Sequence, residues 1–114
     1  NWGTGPPRRE FLHVDDMAAA CLHLMEHFDG PQQVNVGTGR DSTIKEIAET
    51  VASVVGFEGE THWDTSKPDG TPQKLLDVSK LRDAGWEASI GMREGLESTV
   101  AWYREHTVEL REIG

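Results

Sequence analysis

Apolar and polar positions fall into three helical rhythms along this chain, separated by short extended stretches and one long irregular segment. The clearest rhythm begins at Thr43. Ile44, Ile47, Ala48, Val51, Val54 and Val55 recur at the spacing that lines one face of an α-helix. Thr43-Ile44-Lys45-Glu46 forms a capping box, in which the hydroxyl of Thr43 and the carboxylate of Glu46 each cover a free N–H of the other. Gly56 stops the helix. An earlier rhythm, Met17, Cys21, Leu24 and Phe28, predicts a helix capped by Asp15 or Asp16, with that face buried and its end at Gly30-Pro31. The last, Leu96, Thr99, Val100 and Tyr103 with Trp102 beside it, follows Gly91-Met92-Arg93-Glu94, a capping box with glycine in the cap position. Gly95 inside that helix costs about 1 kcal/mol against alanine, so a close packing contact is expected there.

Between the helices, Arg9–Val14, Val34–Val36 and Thr61–Trp63 read as short strands. Asp77 is expected to cap a short helix through Leu81 that closes at Gly85, with Trp86 packing against the long helix. Residues 64–72 hold two prolines, a glycine, two aspartates, a lysine and three hydroxyls, the composition of a loop. A long rigid loop is where ligand contacts tend to be carried, but composition alone favours an ordinary solvated connection. Residues 106–114 read as a charged, fraying end.

Composition narrows the classes. The chain has 114 residues and a net charge of −9, enough for one modest core. Acidity of that size argues against nucleic acid or an anionic membrane as a general partner, since either needs a basic footprint. A phosphorylated small molecule needs only one or two local arginines and stays allowed. Cys21 is the single cysteine, which excludes an internal disulfide and fits a reducing cytoplasm. It is read as a small core residue, having no basic partner in sequence. No apolar run reaches the length of a membrane span. The chain starts at Asn1, inside what reads as a binding motif, so it is expected to be part of a longer protein.

Candidate chemistry concentrates at that start. Gly3 and Gly5 let the backbone approach a ligand, and Pro6 and Pro7 stiffen the loop. Trp2 offers a flat face for a base or sugar, and Arg8 or Arg9 a planar fork for a phosphate. An ordinary surface turn with two solvated arginines fits the same residues. Gly37-Thr38-Gly39 lacks the third glycine of a dinucleotide fingerprint and reads as a turn. His23-Leu24-Met25-Glu26-His27 matches the H-x-x-E-H pattern of a class of zinc peptidases. No third ligand stands in a recognisable setting, so two surface histidines and no metal are expected.

Taken together, the opening Trp2 to Asp16, Val34-Asn35-Val36-Gly37-Thr38-Gly39, Asp64 to Pro72 and Lys74-Leu75-Leu76-Asp77 stand in an order that resembles the extended short-chain dehydrogenase/reductase family. The resemblance runs to about Tyr103. The Asp64–Pro72 stretch is particular to its GDP-L-fucose synthase branch, which epimerises and then reduces a GDP-4-keto-6-deoxy sugar with NADPH. The resemblance implies an α/β fold, three to four helices with short strands, forming the C-terminal substrate-binding part of such an enzyme. Residues 1–105 would be that region and 106–114 a charged tail. It implies NADPH held by an N-terminal Rossmann domain that is missing here, a GDP-sugar as substrate, and a cytoplasmic homodimer. The implied substrate-binding residues are Trp2, Arg9 at the diphosphate, Asp69, and Lys74 close by; no catalytic or cofactor-binding residue carries over. There is no Tyr-x-x-x-Lys, since the only tyrosine, Tyr103, precedes Arg104 and Glu105. Gln73 stands where a basic residue is expected, and Arg8 is expected to face solvent. Another nucleotide-sugar epimerase or dehydratase, or a non-catalytic nucleotide-sugar-binding module, stays open beside this reading.

Overall fold

A computed structural model describes residues 1–113 of the chain. Eight elements follow in order: β1 (Arg8–Arg9), α1 (Val14–His27), β2 (Ser42–Thr43), α2 (Ile44–Val55), β3 (Gln73–Lys74), α3 (Ser79–Asp83), α4 (Met92–Glu105) and α5 (Thr107–Ile113). The result is mixed α/β, with five helices where three to four were expected, the charged end supplying the fifth. The sheet order is β2-β1-β3. β1 pairs antiparallel with β2, Arg8 opposite Thr43 and Arg9 opposite Ser42. It pairs parallel with β3, Arg8 opposite Gln73 and Arg9 opposite Lys74.

Helix α2 forms where its pattern predicts. Glu46 N–H donates to Thr43 Oγ1 (3.1 Å), and Thr43 N–H donates to Glu46 Oε2 (2.8 Å), which completes the capping box. Gly56 closes the helix in the left-handed region at φ 75°. Its apolar stripe packs against α4 but is only half-buried. In α4, Gly95 is buried at the expected close contact. A Cβ there would lie 3.2 Å from His13 Cδ2 and 3.4 Å from Ile90 Cγ2. Gly91 does cap α4, but without a side-chain hydrogen bond, because glycine has no acceptor to offer. Leu96 and Val100 are half-buried, while Thr99 and Tyr103 are exposed.

Helix α1 departs from its pattern in two ways. The cap is His13, whose Nδ1 accepts from Asp15 N–H at 3.0 Å, so Asp15 and Asp16 lie in the first turn instead. The buried face is also rotated. Asp16 and Ala20 go inside, His23 and Leu24 half inside, and Met17 and Cys21 are exposed. Asp16 can be buried because Ser89 N–H (3.2 Å), Ser89 Oγ (3.4 Å) and Ile90 N–H (3.0 Å) all donate to its carboxylate. Cys21 is therefore not a core residue. Periodicity says which residues share a face, not which face a neighbour covers.

The strand expectations fail for a related reason. Of Arg9–Val14 only Arg9 is in a strand, and the chain enters α1 at Val14. Neither Val34–Val36 nor Thr61–Trp63 forms a strand among the described residues, since a strand exists only with a partner edge. The second stretch instead ends at a parallel bridge between Trp2 and Asp64. Asp77 lies just before α3, where its Oδ1 accepts from Ser79 N–H at 2.9 Å, while Val78 occupies the cap. Gly85 closes α3 as expected, with Trp86 N–H reaching Leu81 O at 3.2 Å. Trp86 itself is half-buried.

Candidate functional site

The Trp2–Arg9 segment is shaped by what crosses it. Asp64 N–H donates to Asn1 O (2.7 Å) and Gly3 N–H to Asp64 O (3.0 Å), which lays the start of the chain along the edge of the 62–64 segment. Asp69 then clamps the turn: Thr4 N–H donates to Oδ1 (2.8 Å) and Thr4 Oγ1 to Oδ2 (2.6 Å). The Thr4 hydroxyl and then its N–H hold the Asp69 carboxyl below its usual value. At Gly3, φ is 85° and the Asp69 carboxylate fills the space a Cβ would take, so only glycine fits. Asp69 thus meets the Gly3–Gly5 turn and fixes its shape. Trp2 is left 73% exposed, with Lys67 Nζ 5.4 Å from its ring centre. Lys67 was not singled out by sequence reasoning. Its place three residues beyond Asp64, the tryptophan's bridge partner, would have been a signal only with the pairing known.

The two faces of the small sheet divide the labour. Successive strand residues point to opposite sides. Arg9 and Lys74 are opposite one another across the parallel pair, so two cationic side chains share one face with Ser42. Arg9 Nη1 donates to the carbonyls of Arg8 and Thr71, both at 2.7 Å, and its Nη2 lies 3.0 Å from where a Cβ of Gly70 would be. Side-by-side cations repel unless an anion lies between them. That is the arrangement a diphosphate would stabilise.

On the other face, Arg8 is not left to solvent as expected. Its Nε donates to Asp41 Oδ1 at 2.9 Å, and Gln73 Nε2 donates to Asp41 Oδ2 at 2.6 Å. The Gln73 bond and then the Arg8 bond hold the Asp41 carboxyl below its usual value. Gln73 in place of a base therefore serves this structural cluster rather than the cationic face. One residue further, Glu10 lies against the Gly37-Thr38-Gly39 turn: Gly39 N–H donates to Oε2 at 2.6 Å and Thr38 Oγ1 to the same oxygen at 3.4 Å. This turn is the chain's nearest approach to a diphosphate-cradling glycine loop, and its own carboxylate already fills it. This turn does not fit the diphosphate of a dinucleotide.

The His23 and His27 rings lie 4.3 Å apart, tilted 40° to one another, and His23 Nε2 is 2.6 Å from Ala84 O. That contact makes His23 Nε2 a donor, which leaves the nitrogen no lone pair for a metal. Of the four residues the resemblance implies, the structure brings Arg9 and Lys74 together and places Trp2 and Asp69 on either side of the loop that leads to them.

Comparisons with known proteins bear on this site. The NAD dependent epimerase/dehydratase family model matches residues 1–37. A probable GDP-L-fucose synthase of Oryza sativa subsp. japonica is 54% identical over 110 residues, covering 96% of this chain and 34% of that protein. The GDP-L-fucose synthase of Escherichia coli K12 is 50% identical, covering 96% and 37%. Among solved structures, a GDP-L-fucose synthetase from Naegleria fowleri bound to NADP superimposes with a TM-score of 0.84 at 26% identity, covering 93% of this chain and 34% of that one. A GDP-6-OMe-4-keto-L-xylo-heptose reductase from C. jejuni gives 0.83 at 38% identity, covering 93% and 33%. The chain thus spans about a third of the length of the curated relatives it matches.

Proposed function

We propose that this chain is the C-terminal, substrate-holding part of a GDP-L-fucose synthase of the extended short-chain dehydrogenase/reductase family. The observation that carries the reading is identity of 54% sustained over 96% of the chain. The cationic pair on one sheet face is the geometry that fits it. Residues 1–105 hold the GDP-sugar and 106–114 are an appended tail. Trp2 stacks against one end of the substrate, and Arg9 with Lys74 takes its diphosphate. Asp69 acts at the substrate's edge and, through Thr4, keeps Trp2 in place.

NADPH, bound by an N-terminal domain, supplies the hydride for the reduction that follows epimerisation. This chain's residues bind and orient the substrate; they move no proton in that reaction. The intact enzyme is on this reading a cytoplasmic homodimer with isomerase and oxidoreductase activities. The test is to assay the full-length protein on GDP-4-keto-6-deoxymannose, following NADPH absorbance and identifying the product by NMR. Production of GDP-L-fucose is expected. Turnover only of a GDP-heptose or of a UDP- or dTDP-sugar would overturn the reading.

A further inference from the structure

The cationic face is created by a strand register that the backbone alone secures weakly. Each of the three strands is two residues long. A ladder so short contributes few hydrogen bonds, and a one-residue slip would send Arg9 or Lys74 to the opposite side of the sheet. Something else must hold β1 against β3.

Asp41 stands immediately before β2 and reaches both other strands with one carboxylate. Oδ1 takes Arg8 Nε of β1, Oδ2 takes Gln73 Nε2 of β3, and Arg8 Nη2 also approaches the Asp41 carbonyl at 3.4 Å. Arg8 and Gln73 are themselves opposite one another in the register. A single side chain therefore bridges the pair directly behind Arg9 and Lys74. Glu10 adds a second anchor on the far side of Arg9, through Gly39. Both chain neighbours of Arg9 are pinned behind the sheet, so alternation puts the Arg9 side chain on the front face, where Nη1 is held by the Arg8 and Thr71 carbonyls.

We propose that Asp41 is a positioning residue for anion binding: by tying Arg8 and Gln73 to one carboxylate, it sets Arg9 and Lys74 side by side. It touches no substrate and acts through those two cations. The inference rests on the functional reading above, in that the anion is the diphosphate of a GDP-sugar.

The experiment titrates GDP into the full-length protein by calorimetry for four forms: wild type, Asp41→Ala, Arg9→Ala and the double variant. Asp41→Ala should weaken GDP binding about tenfold. In the Arg9→Ala background the same change should cost no more than about twofold, because the cation it positions is gone. Gln73→Leu removes one arm of the bridge without touching the Arg8–Asp41 pair, and should reproduce part of the loss even if Asp41→Ala folds poorly. Asp41→Asn, which keeps an acceptor for one arm, should recover part of it. A purely structural role would give equal losses in both backgrounds, and that result overturns the proposal, as does unchanged GDP affinity in Asp41→Ala and Gln73→Leu. Should Arg9→Ala itself leave GDP affinity unchanged, the functional reading of the site falls together with this inference. A loss on Arg9→Ala with additive effects of Asp41→Ala removes only the inference.

Discussion

At the scale of single residues, Arg8 and Arg9 show how adjacent identical side chains acquire different tasks. Strand alternation sends one to Asp41 and the other to the cationic face. A charge-assisted contact contributes about 1.5–3 kcal/mol, so Arg9→Ala should weaken GDP-sugar binding by roughly ten- to a hundredfold in the intact enzyme. Arg9→Lys should recover part of this, since a point charge replaces a planar fork. Arg8→Ala should cost less than Arg9→Ala yet more than nothing, because it releases one arm of the Asp41 bridge. Titration of the full-length variants with GDP checks the ranking; a larger loss for Arg8→Ala would reverse the assignment. Asp69 differs again, with both oxygens committed to Thr4. Asp69→Ala should therefore loosen Trp2, seen as a change in tryptophan fluorescence, as well as weaken binding.

At the scale of elements, α2 and α4 carry the local signals most directly. Removing the Thr43 hydroxyl exposes a donor at the helix start, so Thr43→Ala should cost about 1 kcal/mol of stability in urea unfolding. Gly56→Ala should cost about as much for another reason: open space surrounds the position, but φ 75° strains any residue with a Cβ. Gly95→Ala tests packing against propensity. Alanine is the better helix former by about 1 kcal/mol. His13 cannot retreat, however, because Asp15 N–H and Ser98 Oγ hold its two nitrogens at 3.0 and 2.9 Å. Overpacking should win, and Tm should fall; a rise would mean that His13 moves.

At the scale of the whole molecule, the chain does not close a core of its own. Its radius of gyration is 16.9 Å, against about 13 Å for a compact domain of this size. Ala20, Val78 and Leu81 form the buried hydrophobic core among the described residues, while Val14 is 71% and Met25 81% exposed on α1. The isolated chain should therefore associate with itself as concentration rises, which sedimentation would show; a monomer across the range would count against it. NADPH should not bind it, since Glu10 fills the glycine turn, and saturable cofactor binding would refute that. Acid should also loosen the molecule. Asp41, Asp69 and Asp77 all have carboxyls held below their usual value by hydrogen bonds. Their stabilisation is complete above the ordinary value of about 3.9 and is lost as pH falls through the lower folded values. Tm should drop over that interval, and less so in Asp41→Asn, where one of the three is already absent.

The sequence by itself determined the features whose causes are local. The capping box of α2, its apolar stripe and Gly56 lie within one stretch, and backbone geometry reads such spacings the same way wherever they occur. Gly95 was legible because a glycine inside a helix needs a reason. The loop from Asp64 to Pro72 followed from its prolines and polar residues. What depended on partners distant in sequence was not legible. Val34–Val36 has the composition of a strand but no paired edge, whereas Arg8 and Arg9 became one by meeting Ser42–Thr43 and Gln73–Lys74. The buried face of α1 turned on Ser89 and Ile90 offering three donors to Asp16, seventy-odd residues away. Only the tertiary structure could set Lys74 beside Arg9 and Asp41 behind them. Pairing register and burial are properties of two segments at once, and a single stretch of sequence specifies only one of them.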